Sequence, residues 1–297
     1  MIEEPIKEAK KVESKGKKTL SLLLKIAITI VCFWYISKKI NFHNALDALV
    51  KANWLLLFAG LCLFVLSKVL SAFRLNIYFR NIQVHLSEKK NLKLYWLGMF
   101  YNLFLPGAIS GDAYKVVLLN RKYKAPYKKT SAAVLLDRFS GLLALAVILS
   151  VYGFFVLESP LFKALFIAAA PISIAGLYLI IRFFFKDFLP SFSPTFFWGL
   201  AVQLCQVVCI YLIMASLGIP VQQHEWIFIF LMAAVISVLP ISLGGGLGTR
   251  EVVFAEGARY FHLNPQLGVV ISLLFYLLTV AGSIWGLYYN FHDPLDQ

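Results

Sequence analysis

The chain has 297 residues, of which 60% are hydrophobic and 14% are charged, and its formal net charge at pH 7 is +13. A soluble globular domain needs more charge on its surface, so this composition excludes one and indicates a polytopic membrane protein. The positive excess does not indicate nucleic-acid binding, because the basic residues concentrate at the N-terminus and in loops between apolar runs, as they do in cytoplasmic loops beside anionic lipid.

The chain starts with a lysine-rich tail, residues 1–19, which we expect to be cytoplasmic and to lie near anionic headgroups. No small-residue cleavage site follows the next apolar run, so we expect no removable signal peptide. Six apolar runs are each about as long as the ~20 residues that a transmembrane helix needs. They are residues 20–37, 54–73, 132–157, 161–185, 195–217 and 267–289.

Two further apolar regions, residues 92–119 and 226–261, contain helix-breaking steps. The first contains Leu105, Pro106, Gly107, Gly111 and Asp112, and the second contains Leu239, Pro240, Gly244, Gly245, Gly246 and Gly248. Proline removes a backbone donor and glycine weakens a helix. In hydrocarbon such breaks persist only where protein or a water-filled cavity satisfies the freed backbone groups. Two breaks in corresponding halves of a membrane protein therefore indicate a central substrate site.

Loop charge favours a re-entrant hairpin over a full span for each broken region. With the N-terminus in the cytoplasm, a full crossing by residues 92–119 would put the very basic loop 121–129 outside, against the positive-inside rule. We therefore predict an all-α bundle of six full spans and two broken re-entrant hairpins, with eight full spans as the alternative.

The predicted order is span, span, hairpin, span, and it occurs twice with opposite orientation, which is an inverted-topology repeat. One membrane domain then covers residues 20–290, with a first repeat over about residues 20–157 and a second over about residues 161–290. Residues 291–297 form a short cytoplasmic C-terminus. We expect a multi-pass protein of the cytoplasmic membrane.

Charged residues beside and between the breaks are the candidates for chemistry. Asp112 could cap a restarting helix, while Lys115 and exposed amides could face an anionic headgroup. Asp137 and Arg138 lie near the start of a span and, as neighbours on a helix, should each pair elsewhere. Arg250 and Glu251 could pair with the opposite hairpin or with Asp137 and Arg138.

Some polar residues have simpler interpretations. We expect Arg74 to extend to the cytoplasmic surface, and Gln203 and Gln206 to form hydrogen bonds between helices. The four cysteines lie inside apolar runs, and the five histidines show no metal spacing. The sequence therefore predicts no metal site, no cofactor and no catalytic constellation of paired carboxylates or activated nucleophile.

Together, these motifs resemble the membrane domain of the lysylphosphatidylglycerol synthases, a flippase-like family of bacteria and archaea. The resemblance rests on Asn102 with the first break, on Asp137-Arg138 with Gly141, and on the second break with Arg250-Glu251. It implies lipid translocation between leaflets, and related membrane regions also occur with polyprenyl-phosphate glycosyl transfer. Because the sequence ends a few residues after its last span, we expect no aminoacyl-transfer domain and do not carry lysyl-lipid synthesis over.

The leading hypothesis is a flippase or transporter for an anionic phospholipid or a polyprenyl-phosphate-linked lipid. Alternatives are an intramembrane enzyme, or an accessory subunit for a separately encoded synthase or glycosyltransferase. The sequence leaves the oligomeric state open. The candidate headgroup-binding residues are Asn102, Pro106, Gly107, Gly111, Asp112, Lys115, Asp137, Arg138, Pro240, Gly244, Gly245, Gly246, Gly248, Arg250 and Glu251.

Overall fold

The computed structural model describes residues 50, 52–104, 109–238 and 249–295. Within these ranges the secondary structure is entirely helical, which confirms the predicted all-α fold. The helices are α1 (Trp54–Asn81), α2 (Glu88–Phe104), α3 (Ser110–Tyr123), α4 (Tyr127–Val156), α5 (Pro160–Phe184), a 3-10 helix (Lys186–Ser191), α6 (Phe192–Ser216), α7 (Glu225–Val238), α8 (Thr249–Tyr260), α9 (Pro265–Ser283) and α10 (Trp285–Phe291).

Among the described residues, five helical segments are long and apolar enough to cross a membrane: α1, α4, α5, the 3-10 helix with α6, and α9 with α10. They correspond to five of the six predicted spans, and the predicted span at residues 20–37 lies outside the described residues. Helix α1 continues beyond the predicted end at residue 73 to Asn81. It does so because its polar residues there have partners, among them Asn76, which donates to the Leu86 carbonyl oxygen at 3.1 Å.

Local sequence sets where several helices begin. The Asn53 side chain accepts hydrogen bonds from the backbone amides of Leu55 and Leu56 and so caps α1. Asn264 caps α9 by accepting from the Gln266 amide. Helices α5 and α9 have proline at their first position, where a missing amide hydrogen costs nothing.

Helices α1 and α6 pack antiparallel along nearly their whole length. The Asn53 amide donates to the Ser216 carbonyl oxygen at one end of the pair, at 3.0 Å. At the other end, Asn81 Nδ2 donates to Ser191 Oγ at 2.6 Å, where the 3-10 helix leads into α6. Between these ends, the Cys209 thiol lies 3.3 Å from the Gly60 carbonyl oxygen. This pair is the framework against which α4 and α9 pack.

The two broken regions form antiparallel helical hairpins. In α2–α3, Tyr95 contacts Lys115 and Asn102 contacts Gly111, so the two helices run in opposite directions. In α7–α8, Phe228 contacts Phe261, while a Cβ added at Gly257 would lie 2.8 Å from Ile229 Cγ1. The connections at residues 105–108 and 239–248 lie outside the described residues.

Apolar packing leaves a polar level in the middle of α1. One buried apolar cluster includes α1 up to Phe64, and a second resumes at Leu75. Lys68, Ser71 and Arg74 lie between these clusters and face a cavity. At the periphery, α5 buries only Leu177 and Ile181, as expected of a helix covered by lipid chains.

Candidate functional site: a charged cavity between the helices

A cavity of about 290 Å³ lies where α1, α2, α3, α4 and α6 approach one another. The described residues of its polar lining include four basic side chains and two carboxylates, which gives them a formal excess of two positive charges. Charge inside a membrane bundle is costly and marks functional sites. The lining residues are Lys68, Ser71, Arg74, Tyr95, Met99, Asn102, Asp112, Lys115, Asp137, Arg138, Gly141, Leu142, Leu145, Val202, Gln203, Gln206 and Val238.

Asp112 joins two of the basic side chains. Its Oδ1 accepts a hydrogen bond from Lys115 Nζ at 2.9 Å, one turn later on α3, and its Oδ2 accepts from Arg138 Nε on α4. The Asp112 residue is 9% exposed. A carboxylate that accepts two charge-assisted hydrogen bonds at low exposure is held in one position. Asp112 therefore fixes α3 against α4 at the cavity wall.

Arg74 and Asp137 form the second ion pair, between α1 and α4. Arg74 Nε donates to Asp137 Oδ1 at 2.8 Å, and both side chains are buried. The Arg74 Nη1 atom has no hydrogen-bond partner within the described ranges. A Cβ at Gly141 would lie 3.1 Å from this Nη1, so the glycine provides the space in which the guanidinium lies.

The α2–α3 hairpin positions Asp112 and Lys115 through close backbone packing. The Gly111 amide donates to Asn102 Oδ1 at 2.8 Å, so the Asn102 side chain satisfies an amide in the first turn of α3. The Lys115 side chain passes so close to Gly98 that a Cβ there would lie 2.1 Å from Lys115 Cε. Lys115 Nζ then lies 4.5 Å from the centroid of the Tyr95 ring, a cation–π contact.

Five of the predicted site residues line the cavity: Asn102, Asp112, Lys115, Asp137 and Arg138. Gly111 does not line the cavity, but its amide donates to the side chain of Asn102, which does. The expectation that Asp137 and Arg138 pair elsewhere is confirmed, since their partners are Arg74 and Asp112. Seven predicted residues fall outside the described residues: Pro106, Gly107, Pro240, Gly244, Gly245, Gly246 and Gly248.

Two details differ from the sequence-based expectation, and a third agrees with it. Asp112 does not cap α3, because the helix begins at Ser110 and Asp112 lies within its first turn. Arg74 does not reach the surface, because Asp137 stabilises its charge in the interior. Gln203 does form the expected bond between helices, since its Nε2 donates to the Gly141 carbonyl oxygen at 3.3 Å.

The second hairpin also differs from the expectation. Arg250 is buried against the rings of Phe230 and Phe275, and the Glu251 carboxylate accepts a hydrogen bond from Ser272 Oγ at 3.1 Å. Neither residue forms a salt bridge with Asp137 or Arg138 in the described part of the chain. The reason is packing: α8 lies against α7 and α9, which supply these rings and this hydroxyl.

Lys68, Ser71 and Tyr95 were not among the site residues predicted from the sequence, because a single polar residue in an apolar run has many structural explanations. A usable signal was available in the spacing of Lys68, Ser71 and Arg74, which recur every three residues and so share one face of α1. No group of three or more histidine, cysteine, aspartate or glutamate side chains that could hold a metal occurs among the described residues.

A match to a known protein family covers most of the chain. The family described as "Lysylphosphatidylglycerol synthase TM region" matches residues 22–194 and 188–286. The UPF0104 membrane protein PH1989 of Pyrococcus horikoshii is 22% identical over 124 residues, which are 41% of this chain and 36% of that protein. The matched segment thus spans about a third of that curated relative. No solved structure matches the chain.

Proposed function

The chain belongs to the lysylphosphatidylglycerol synthase transmembrane-region family, and we propose that it moves an anionic lipid between the two leaflets of the membrane. The cargo is a phospholipid or a polyprenyl-phosphate-linked lipid whose headgroup enters the cavity while its hydrocarbon chains stay in the bilayer. The protein resides in the cytoplasmic membrane as a multi-pass bundle.

The cavity with its excess of positive charge is the observation that carries this proposal. A structural role alone would favour equal numbers of cations and carboxylates, because each unpaired charge in a membrane interior is costly. A surplus of two positive charges suits a phosphate headgroup, which supplies the missing negative charge. The volume of about 290 Å³ is that of a small-molecule site, which suits a headgroup better than a whole lipid.

Helix lengths support the re-entrant topology. The 17 and 14 residues of α2 and α3 rise about 25 Å and 21 Å, less than the ~30 Å of the hydrocarbon core. The 14 and 12 residues of α7 and α8 rise about 21 Å and 18 Å. We therefore propose that each hairpin enters and leaves the membrane on the same side. The first hairpin is then followed by the full span α4, and the second by the full span that α9 and α10 form together.

The packing of α1 against α6 supports an inverted repeat. In the proposed repeat these two helices are the second spans of the first and second units. A two-fold axis in the membrane plane would make corresponding helices run in opposite directions. Helices α1 and α6 do run antiparallel. We propose that the N-terminus is cytoplasmic, which places the basic loop 121–129 on the same side.

The two ion pairs argue against the alternative of an intramembrane enzyme. A general acid or base must be free to exchange a proton with its substrate. Both Asp112 oxygens accept hydrogen bonds, from Lys115 and Arg138, and Asp137 Oδ1 accepts one from Arg74, so three of the four carboxylate oxygens already bind cations of the protein. An accessory role beside a separately encoded synthase or glycosyltransferase is the second alternative, and a co-purifying subunit would identify it.

A vesicle assay tests the proposed transport. The purified full chain is reconstituted into liposomes that contain phosphatidylglycerol or phosphatidic acid with a fluorophore on a short acyl chain, or a polyprenyl phosphate with a fluorophore on its hydrocarbon chain, and a membrane-impermeant quencher then reports the outward-facing label. We expect the protected fraction to fall well below the half found in protein-free vesicles for at least one anionic lipid. Protection equal to that of protein-free vesicles for every lipid would contradict the proposal.

A further inference from the structure

Lys68 on α1 and Arg250 on α8 are cations that lie against aromatic rings. Lys68 Nζ is 4.6 Å from the centroid of the Phe64 ring. The guanidinium carbon of Arg250 is 4.5 Å from the centroid of Phe275 and 5.7 Å from that of Phe230. Within the described ranges neither cation forms a salt bridge with a carboxylate. A ring face attracts a cation but leaves its hydrogen-bond donors unused.

The three rings form one connected group. Phe275 lies edge-on to Phe64, with centroids 5.8 Å apart, and to Phe230, with centroids 4.9 Å apart. Lys68 and Arg250 are therefore positioned by the same aromatic group, which brings their two positive charges into one region of the structure. Two like charges brought together in a membrane interior repel each other, and an anion between them removes that repulsion.

Arg250 has hydrogen-bond donors that no described residue accepts. The residue is 6% exposed, and its Nε and Nη2 atoms have no hydrogen-bond partner among the described residues. A buried guanidinium with unused donors is costly, because their hydration is lost without replacement. The adjacent Glu251 carboxylate accepts from Ser272 instead, and neighbouring residues on a helix do not face each other.

Of the four described cations that line the cavity, the three other than Lys68 already have carboxylate partners. Arg138 and Lys115 share Asp112, and Arg74 pairs with Asp137. Lys68 lines the same cavity six residues before Arg74, a displacement of about 9 Å along α1. The least compensated positive charge is therefore at the level of Lys68 and Arg250, away from the two aspartates.

We infer that Lys68, which lines the cavity, and Arg250, which packs against the same group of aromatic rings, form a phosphate subsite beside this end of the cavity. The guanidinium offers two parallel donors and the ammonium offers a point charge, a combination suited to the oxygens of a phosphate. The subsite rests on the proposed function and deepens it: the phosphate of the lipid binds between α1 and α8, and the aspartate-paired cations surround the rest of the headgroup. Free phosphate presents the same chemistry.

Calorimetric titration of the purified full chain in detergent tests the subsite. The probes are dihexanoyl phosphatidic acid, inorganic phosphate and uncharged dihexanoylglycerol. Lys68→Met and Arg250→Met each remove the charge and leave an apolar stem. We expect each to weaken binding of dihexanoyl phosphatidic acid by about ten- to hundredfold, the loss of one or two charge-assisted hydrogen bonds. Lys68→Arg should retain binding.

Two matched variants serve as controls. Lys163→Met removes a lysine whose Nζ lies 5.6 Å from the Phe154 ring centroid, outside the cavity lining. Arg259→Met removes an exposed arginine from α8, the helix that carries Arg250. Both should bind as the unmodified chain does. If Lys68→Met bound dihexanoyl phosphatidic acid as tightly as the unmodified chain does, the subsite would be overturned. If Arg250→Met does not fold, the Lys68→Met result decides the question.

The probes separate the two sources of phosphate. Binding of dihexanoyl phosphatidic acid without binding of inorganic phosphate assigns the subsite to a lipid, whereas Lys68-dependent binding of both assigns it to phosphate in general. Dihexanoylglycerol has no phosphate. If Lys68→Met weakened its binding as much as it weakens the binding of dihexanoyl phosphatidic acid, the phosphate subsite would be overturned. If Lys68→Met weakens binding of dihexanoyl phosphatidic acid but the unmodified chain transports no lipid in vesicles, the transport proposal is contradicted and the subsite is not. If the unmodified chain transports lipid but Lys68→Met binds dihexanoyl phosphatidic acid with unchanged affinity, the subsite is contradicted and the transport proposal is not.

Discussion

Arg138 donates to Asp112 across the boundary between α4 and α3, although 26 positions separate the two residues in the chain. This contact ties a short broken hairpin to a full membrane span. The same carboxylate also accepts from Lys115 within α3. One buried anion thus fixes both the local geometry of the hairpin and its place beside the cavity.

Loss of the Asp112 charge should destabilise the fold. Asp112→Asn leaves Lys115 and Arg138 beside the cavity without their anion, and breaking a buried ion pair costs about 3–5 kcal/mol. We expect a clearly lower Tm in detergent. The matched control is Asp187→Asn, which breaks the exposed pair with Lys129 and should cost less than about 1 kcal/mol. Equal Tm values for the two variants would contradict the prediction.

The Arg74–Asp137 pair should show strong coupling in a double-mutant cycle. Asp137→Leu leaves the buried Arg74 guanidinium without a counter-charge, and Arg74→Leu leaves the carboxylate alone. The double variant removes both charges together, so it should be more stable than either single variant. Thermal unfolding of the four proteins measures the coupling. Additive losses of stability would mean that the two side chains do not stabilise each other.

Close packing at Gly111 should be intolerant of any side chain. A Cβ there would lie 1.9 Å from the Gly98 carbonyl oxygen, which is backbone and cannot rotate away. Gly111→Ala should therefore separate α2 from α3 and lower the Tm. Gly176→Ala on α5 is the control, because nothing lies within 4 Å of its added Cβ. Alanine is the better helix former by about 1 kcal/mol, so Gly176→Ala should keep or raise the Tm.

Cysteine labelling should locate the basic loop in the cytoplasm. On a background with the four native cysteines replaced by alanine, Lys124→Cys and Glu158→Cys place thiols at exposed positions on either side of α4. An impermeant maleimide added to intact cells should label the variant at residue 158 and spare the one at residue 124. The reverse pattern would contradict the combination of a cytoplasmic N-terminus with a re-entrant first hairpin, so at least one of the two would be wrong.

Much of the fold could be predicted from local sequence. Apolar runs of the right length predicted five of the long helices, whereas the two proline and glycine steps, at residues 105–108 and 239–248, lie outside the described residues. The ends were less well placed: α1 runs on to Asn81 because Asn76 and Arg80 have partners near the start of α2. Those partners lie several residues away, beyond what local composition can indicate.

The candidate site was only partly predictable. Asp112, Lys115, Asp137 and Arg138 could be found because charge within apolar sequence is rare and costly. Arg74 was misinterpreted, since a span end near a basic loop is an equally good place for an arginine. Arg250 was placed with the wrong partners, because its aromatic neighbours Phe230 and Phe275 come from two other helices.

The sequence by itself determined that the chain is an all-helical membrane bundle with two interrupted regions, because hydropathy and helix breaking act over neighbouring residues. Only the tertiary structure decided which charges meet. Ion pairs such as Arg74 with Asp137 depend on the direction and rotation of packed helices, and one residue of displacement along a helix turns a side chain by about 100°. The same packing left Lys68 and Arg250 against aromatic rings, with donors that an anion can use.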